Sequence, residues 1–232
     1  MVDNRPIIVY NAQLMINNLI LSLSIMIHST NQAHLSLPYA QPGETIIASR
    51  AMSLDDRYPA KSVSDVFKDN ILLNVAYLDG RVTNAKDVNW GSLEQPFKSE
   101  FTLQPKQTFA FHDAVLPEFQ GKIALTTNAH FNSQDGFKTD GYLFGDGVCH
   151  LASLINWAAR DANLQVEAPT NHNFAVIPEV PKQYGVAIYY DPNNQSAGAR
   201  ENLYITNNKD KPVNFVFEYK DGYLSVSVTT AA

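Results

Sequence analysis

The sequence predicts an α+β fold: a mostly antiparallel sheet with one helix, beginning at Cys149, packed against it. Three observations predict this. Short alternating runs separated by turn residues fill the C-terminal part of the chain. One segment, 151–162, keeps a helical period through Leu151, Leu154, Ile155, Ala158 and Ala162. Hydrophobic residues are 45% of the 232 and charged residues 17%, a balance that supports a sizeable core.

Taken in order, residues 14–27 (LMINNLILSLSIMI) form an uncharged run. It is shorter than the roughly 20 apolar residues that span a bilayer, and has the length of a signal-peptide core. The same residues also fit a half-buried strand, since Leu21, Leu23, Ile25 and Ile27 alternate with Ser22, Ser24 and Met26. Residues 1–42 are therefore assigned as an N-terminal extension, a signal peptide or anchor. Export, or membrane association through this segment, is the expectation. Pro38 to Gly43 breaks the chain, so the domain starts there. Its first part is 43–96 and its second 97–230.

Within the domain, residues 63–69 (VSDVFKD) predict a short helix, and the apolar run 70–78 (NILLNVAYL) a buried strand ended by the turn Asp79-Gly80. Residues 97–103 alternate, with Phe97, Phe101 and Leu103 on one face, and 107–112 repeat the habit. Asn132 to Gly147 reads as a long functional loop. It leads into the helix at Cys149, with Asp146 or Gly147 at its N-terminus and Asn163 able to take the left-handed conformation after its C-terminus. Strands follow at Tyr184–Tyr190, Leu203–Asn207, Val213–Tyr219 and Tyr223–Val228, the last two joined by Asp221-Gly222.

Composition narrows the function. The net charge is −6 and no Lys/Arg run occurs, so nucleic acid is a poor partner. A single cysteine closes no intrachain disulfide and builds no Cys-rich zinc site. The six histidines fall in no metal-ligand spacing and no glycine-rich nucleotide loop is present, so neither a metal nor a cofactor is expected.

What remains is Cys149 in the first turn of its helix. Unpaired N–H groups and the helix dipole there favour a thiolate, with a pKa below ~8.5. Gly145 and Gly147, flanking Asp146, would let a substrate backbone approach. His172 downstream is a candidate general base, and Asp191 or a nearby Asn a candidate orienting group. His150 and Asn171 are candidate ligand contacts, while His112-Asp113 and His130 read as structural residues either of which could line a cleft. Each has a plainer reading: free cysteines commonly just pack, His172 fits a hydrogen-bonded loop histidine, and Asp191 before Pro192 fits a turn.

Four stretches, in one order, resemble the VanW family. GDGVCH (145–150) is similar to its G-G-G-V-C-Q signature, and FTLQPKQTFAF (101–111) to its F-x-L-x-P-G-E-T-F-S-F stretch. NHNF (171–174) resembles its H-x-H-S-x-P segment, and LYITNN (203–208) with Lys211-Pro212-Val213 its D-x-x-F-x-N-N-x-x-x-P-V ending. The resemblance covers about residues 97–218, and the stretch with Ser49-Arg50, Arg57-Tyr58 and 66–73 resembles the longer N-terminal region of some bacterial members. His150 stands where the family usually has Gln, and Lys106-Gln107 where it has Gly-Glu. Members occur in some vancomycin-resistance gene clusters and beside cell-wall enzymes, so the resemblance implies a cell-envelope setting; it supplies no reaction.

Two functions are expected. In the first, Cys149 attacks a peptidoglycan-type peptide with His172 as base and Asp191 orienting it, in acyl transfer or amide hydrolysis. In the second, the domain binds a peptide or glycan of the wall without catalysis, with Phe137, Tyr142 and Phe144 at the pocket rim and Cys149 beneath. A third, weaker expectation is a partner-binding scaffold that uses the hairpin at 213–228.

Overall fold

Asp221 and Gly222, with φ of 52° and 79°, make the mirror-image turn that two antiparallel strands require. In the computed structural model, which describes residues 43–141 and 145–231, this turn joins β7 (Val213–Lys220) to β8 (Tyr223–Ala231). The two are the central strands of a four-stranded antiparallel sheet. Its edges are β1 (Glu44–Ser53), paired with β8, and β2 (Phe97–Leu103), paired with β7. The register sets Phe101 opposite Phe215, with ring centroids 4.9 Å apart and the planes nearly parallel. The 213–228 hairpin is thus enclosed by neighbours on both sides, which removes the basis for the scaffold reading.

A second, smaller sheet has the order β4-β3-β6-β5, from β3 (Thr108–Ala110), β4 (Ile123–Leu125), β5 (Gln165–Glu167) and β6 (Tyr204–Thr206). Only its β3–β4 pair is parallel. The fold is α+β and mostly antiparallel, as the alternating patterns predict.

Four helices accompany the sheets among the described residues: α1 (Lys61–Leu78), α2 (Trp90–Leu93), α3 (Val148–Asp161) and α4 (Gln195–Arg200). The strand expected at 70–78 is instead the second half of α1. Residues 69–78 are all buried, so no polar face marks a helical period. Such a run suits a strand or a buried helix equally, and here its length of 18 residues with 61–69 decides. Asp79-Gly80 ends it as expected, with Gly80 at φ 77°.

Helix α3 packs on β1, β8 and α1. Leu151, Leu154, Ile155 and Ala158, the periodic residues, are fully buried with Phe215, Phe217, Val226 and Val228. The helix starts one residue before the expected Cys149, at Val148, so Cys149 is its second residue. Asn163 takes φ 54° just past its end.

The strand expected at 184–190 pairs with no strand. Its extended residues lie along α3, and each N–H from Val186 to Tyr189 finds a separate partner: Ser153 Oγ (2.9 Å), Thr170 O (3.0 Å), Cys149 Sγ (3.4 Å) and Glu201 O (3.0 Å). The buried backbone is satisfied by a helix and two loops instead of a ladder. Residues 14–33, Tyr142 and Phe144 lie outside the described residues. Among the described residues no helix is long and apolar enough to cross a membrane.

Candidate functional site

Two glycines bring the loop onto α3. Gly145 (φ 81°) and Gly147 (φ 100°) take backbone conformations that side chains disfavour. A Cβ on Gly145 would come within 2.7 Å of Phe131 Cβ, and one on Gly147 within 2.6 Å of the Phe67 carbonyl. The close approach these glycines permit is therefore to the protein's own backbone. Asn70 secures the loop further, donating to the carbonyls of Asp146 (2.9 Å) and Lys138 (3.1 Å) and accepting from Lys138 N–H (2.8 Å).

Beside this helix start lies a cleft of about 490 Å³. Residues 145–150 wall it together with His172, so the loop, Cys149, His150 and the expected base share one site. Aromatic side chains complete it, among them Phe67, Phe131 and Tyr190. Tyr58 (50% exposed), Phe174 (78%), Val176 (88%) and Tyr189 (51%) are the large exposed hydrophobics of the described residues, and all four line this cleft. An exposed apolar cluster around a cavity marks a binding surface.

Cys149 is held by one residue: its thiol donates to the Ile188 carbonyl at 3.7 Å and accepts from the Ile188 N–H at 3.4 Å. It is only partly exposed on the cleft wall. Burial among packed atoms pushes the thiol up to about 11, with the carboxylates of Glu201 and Asp146 adding to the rise. The Ile188 N–H offsets part of this. Burial thus shifts the thiol opposite to the direction expected from the helix start.

Cys149 also belongs to a polar stripe. Ser153 donates to the Cys149 carbonyl (2.6 Å) and accepts from Val186 N–H, and Asn156 donates to the Tyr184 carbonyl (2.8 Å). Residues 149, 153 and 156 fall on one face of α3 and stitch it to segment 184–188.

Among the described residues no hydrogen bond joins Cys149 to a histidine. His172 Nδ1 lies 3.2 Å from the Ala175 carbonyl, so that nitrogen carries the proton and donates. Burial lowers the His172 pKa. His150 stands perpendicular to His172 at 6.3 Å between centroids. Burial, then the Arg57 charge, then His172 press His150 down to about 3, which favours the neutral ring, and among the described residues its Nδ1 has no partner. Asp146 is raised to about 6 by burial and by the carboxylate of Asp140.

Two expected residues fall away. Asp191 accepts from Asn193 N–H at 2.8 Å and its carbonyl from Asn194 N–H at 3.1 Å, the hydrogen bonds of a turn. Among the described residues it orients no histidine. Asn171 donates to the Lys182 carbonyl (3.3 Å) and does not wall the cleft. Phe137, expected at the rim, is buried against Tyr77 and Phe131.

Residues outside the expected catalytic and binding set also wall the cleft. Arg57, almost fully buried, walls the cleft and donates to Glu179 (2.6 Å) and the Pro178 carbonyl (3.2 Å). His130 reaches two carboxylates, Asp113 (3.4 Å) and Asp135 (3.3 Å), with its ring against Tyr190. Among the described residues no group of three His, Cys, Asp or Glu is placed to hold a metal ion.

The protein is thus an α+β domain with an aromatic-rimmed cleft at the start of a cysteine-bearing helix. It belongs to the VanW-like family, whose model (VanW like protein) matches residues 98–229, more than half of the chain. No curated protein matches the chain, and neither does any solved structure.

Proposed function

We propose that this VanW-like domain is a non-catalytic binding module of the cell envelope that takes a wall peptide in the cleft beside Cys149. The observation that carries this reading is the state of Cys149. Its thiol is bracketed by the backbone of Ile188 and raised to about 11. A thiol so held and so shifted is poorly suited to act as a nucleophile at neutral pH. An apolar rim with a few polar groups inside is what a peptide site offers.

One observation favours the second reading, cysteine-dependent acyl transfer or amide hydrolysis: Cys149, His150 and His172 wall the same cleft. That chemistry requires Cys149 to leave Ile188 and a histidine to take its proton.

Calorimetric titration of the full chain with synthetic peptidoglycan stem peptides, followed by mass spectrometry of the mixture, tests the proposal. Binding by wild type and Cys149→Ala within about twofold of each other, with unchanged peptide, supports it. Product from wild type that is absent with Cys149→Ser assigns the enzyme reading instead. Absence of binding by wild type removes the proposal.

A further inference from the structure

A second cavity, of about 240 Å³, shares a wall with the cleft. His172, Phe174, Ala175 and Val176 line both, so segment 172–176 is a ridge between them. Local contacts hold the ridge up. His172 donates to the Ala175 carbonyl, its ring lies 3.9 Å from that of Phe174, and Asn173 N–H donates to the Asn171 carbonyl at 3.0 Å. Gly185 lies close beneath, where a Cβ would come within 3.2 Å of His172 Cβ.

The far side of the second cavity is apolar, from Ile177, Val180 and Pro181. The turn between them is fastened to the first cleft. Arg57, a wall residue of that cleft, bonds Pro178 O and Glu179 Oε2, and Ser53 N–H adds a bond to the same oxygen at 2.8 Å. Glu179 has φ 67°, a disfavoured state for a non-glycine residue, and these bonds retain it. Arg57 and Ser53 together therefore tie the turn beside the second cavity to the wall of the first.

The top of the ridge is exposed. Phe174 and Val176 face outward two residues apart, and among the described residues the N–H groups of Phe174, Ala175 and Val176 have no protein acceptor. A chain lying along the ridge would find free donors and apolar contacts together, which is how extended peptides are recognised. The second cavity is smaller than the ~300 Å³ of an ordinary small-molecule site and fits a single aliphatic side chain.

We infer that the ligand is an extended peptide that crosses the 172–176 ridge, with one part in the cleft and an aliphatic side chain in the second cavity; this rests on the peptide-binding reading above.

The test is titration calorimetry of the full chain with N-acetylated stem peptides of three, four and five residues. The expected result is affinity that rises at least about tenfold with length. Val180→Trp, which fills the second cavity, erases that rise and leaves the shortest bound peptide unaffected. Asn173→Trp, at an exposed position on the same cavity, does the same without burdening the core. Equal affinity at all lengths, or a rise that survives both variants, overturns the two-cavity inference while peptide binding stands. If no peptide binds the wild type, the peptide reading falls and this inference with it.

Discussion

Along residues 186–189, at the inner wall of the cleft, every backbone N–H has a protein partner, and two of those partners are side chains of α3. Along residues 174–176, at the rim, no N–H has one among the described residues, and Phe174 and Val176 stand in solvent. The two segments border the same space and are built for opposite ends. The first uses its polar groups to fix a wall; the second leaves them for something else. Cys149 belongs to the wall. Its hydrogen bonds fasten Ile188, and its raised pKa follows from burial, which the Ile188 N–H offsets only in part.

The contrast can be broken from the wall side first. Acid should have the largest effect. His150 is held near 3 and His112 near 4 by burial, below the 6.5 of an unfolded histidine. Below pH 6.5 the unfolded chain takes up protons that the folded chain refuses, so stability falls with pH. Asp146, raised to about 6, works the other way in the same window, but its carboxyl is partly solvated and offsets only part of one histidine. The net expectation is a loss on the order of 3 kcal/mol between pH 6.5 and 4, read by urea unfolding. His150→Gln should flatten the slope; a slope unchanged in that variant would contradict the burial of His150.

Gly147→Ala comes next. Its Cβ would meet the Phe67 carbonyl at 2.6 Å from a backbone at φ 100°. A loss of about 3 kcal/mol is expected in the same assay, against under ~0.5 if the loop can shift freely. Ser153→Ala follows, with a loss of about 1–3 kcal/mol, because it strands the buried N–H of Val186. Phe174→Ala, at the rim, should change stability by less than ~0.5 kcal/mol while weakening peptide binding severalfold. A rim variant that destabilised as much as Ser153→Ala would erase the difference between the two regions.

Much of the fold was legible in the sequence where one element answers to one local rule. The β7–β8 hairpin rests on Asp221-Gly222, and α3 on its apolar stripe and Asn163. Segment 69–78 was not, because burial on every side erased the period that separates helix from strand. Segment 184–190 reads as a strand and is extended, but its hydrogen-bond partners are a helix and loops, which no local pattern announces. The edge strand β1 was missed beyond its starting point, since its residues are mostly half-buried and alternate weakly.

In the site, the loop 145–150 and His172 border one cleft. Asp191 does not, because the Asp-Pro-Asn-Asn stretch satisfies its own turn. Arg57, Tyr58 and His130 come from segments distant in the chain. A single residue with no period and no motif gives little signal until the fold places it, although His130 was open to lining a cleft and Arg57-Tyr58 fell in a stretch that resembles other family members.

The most direct measurement is the rate of Cys149 alkylation by iodoacetamide against pH, in wild type and His172→Ala. Cys149 is the only cysteine, so the signal is unambiguous. A neutral thiol held by Ile188 predicts slow alkylation that keeps rising past pH 9 with no plateau, and the same profile in His172→Ala. A plateau reached well below pH ~8.5, displaced in His172→Ala, would show an activated nucleophile paired with that histidine and contradict a structural role for Cys149.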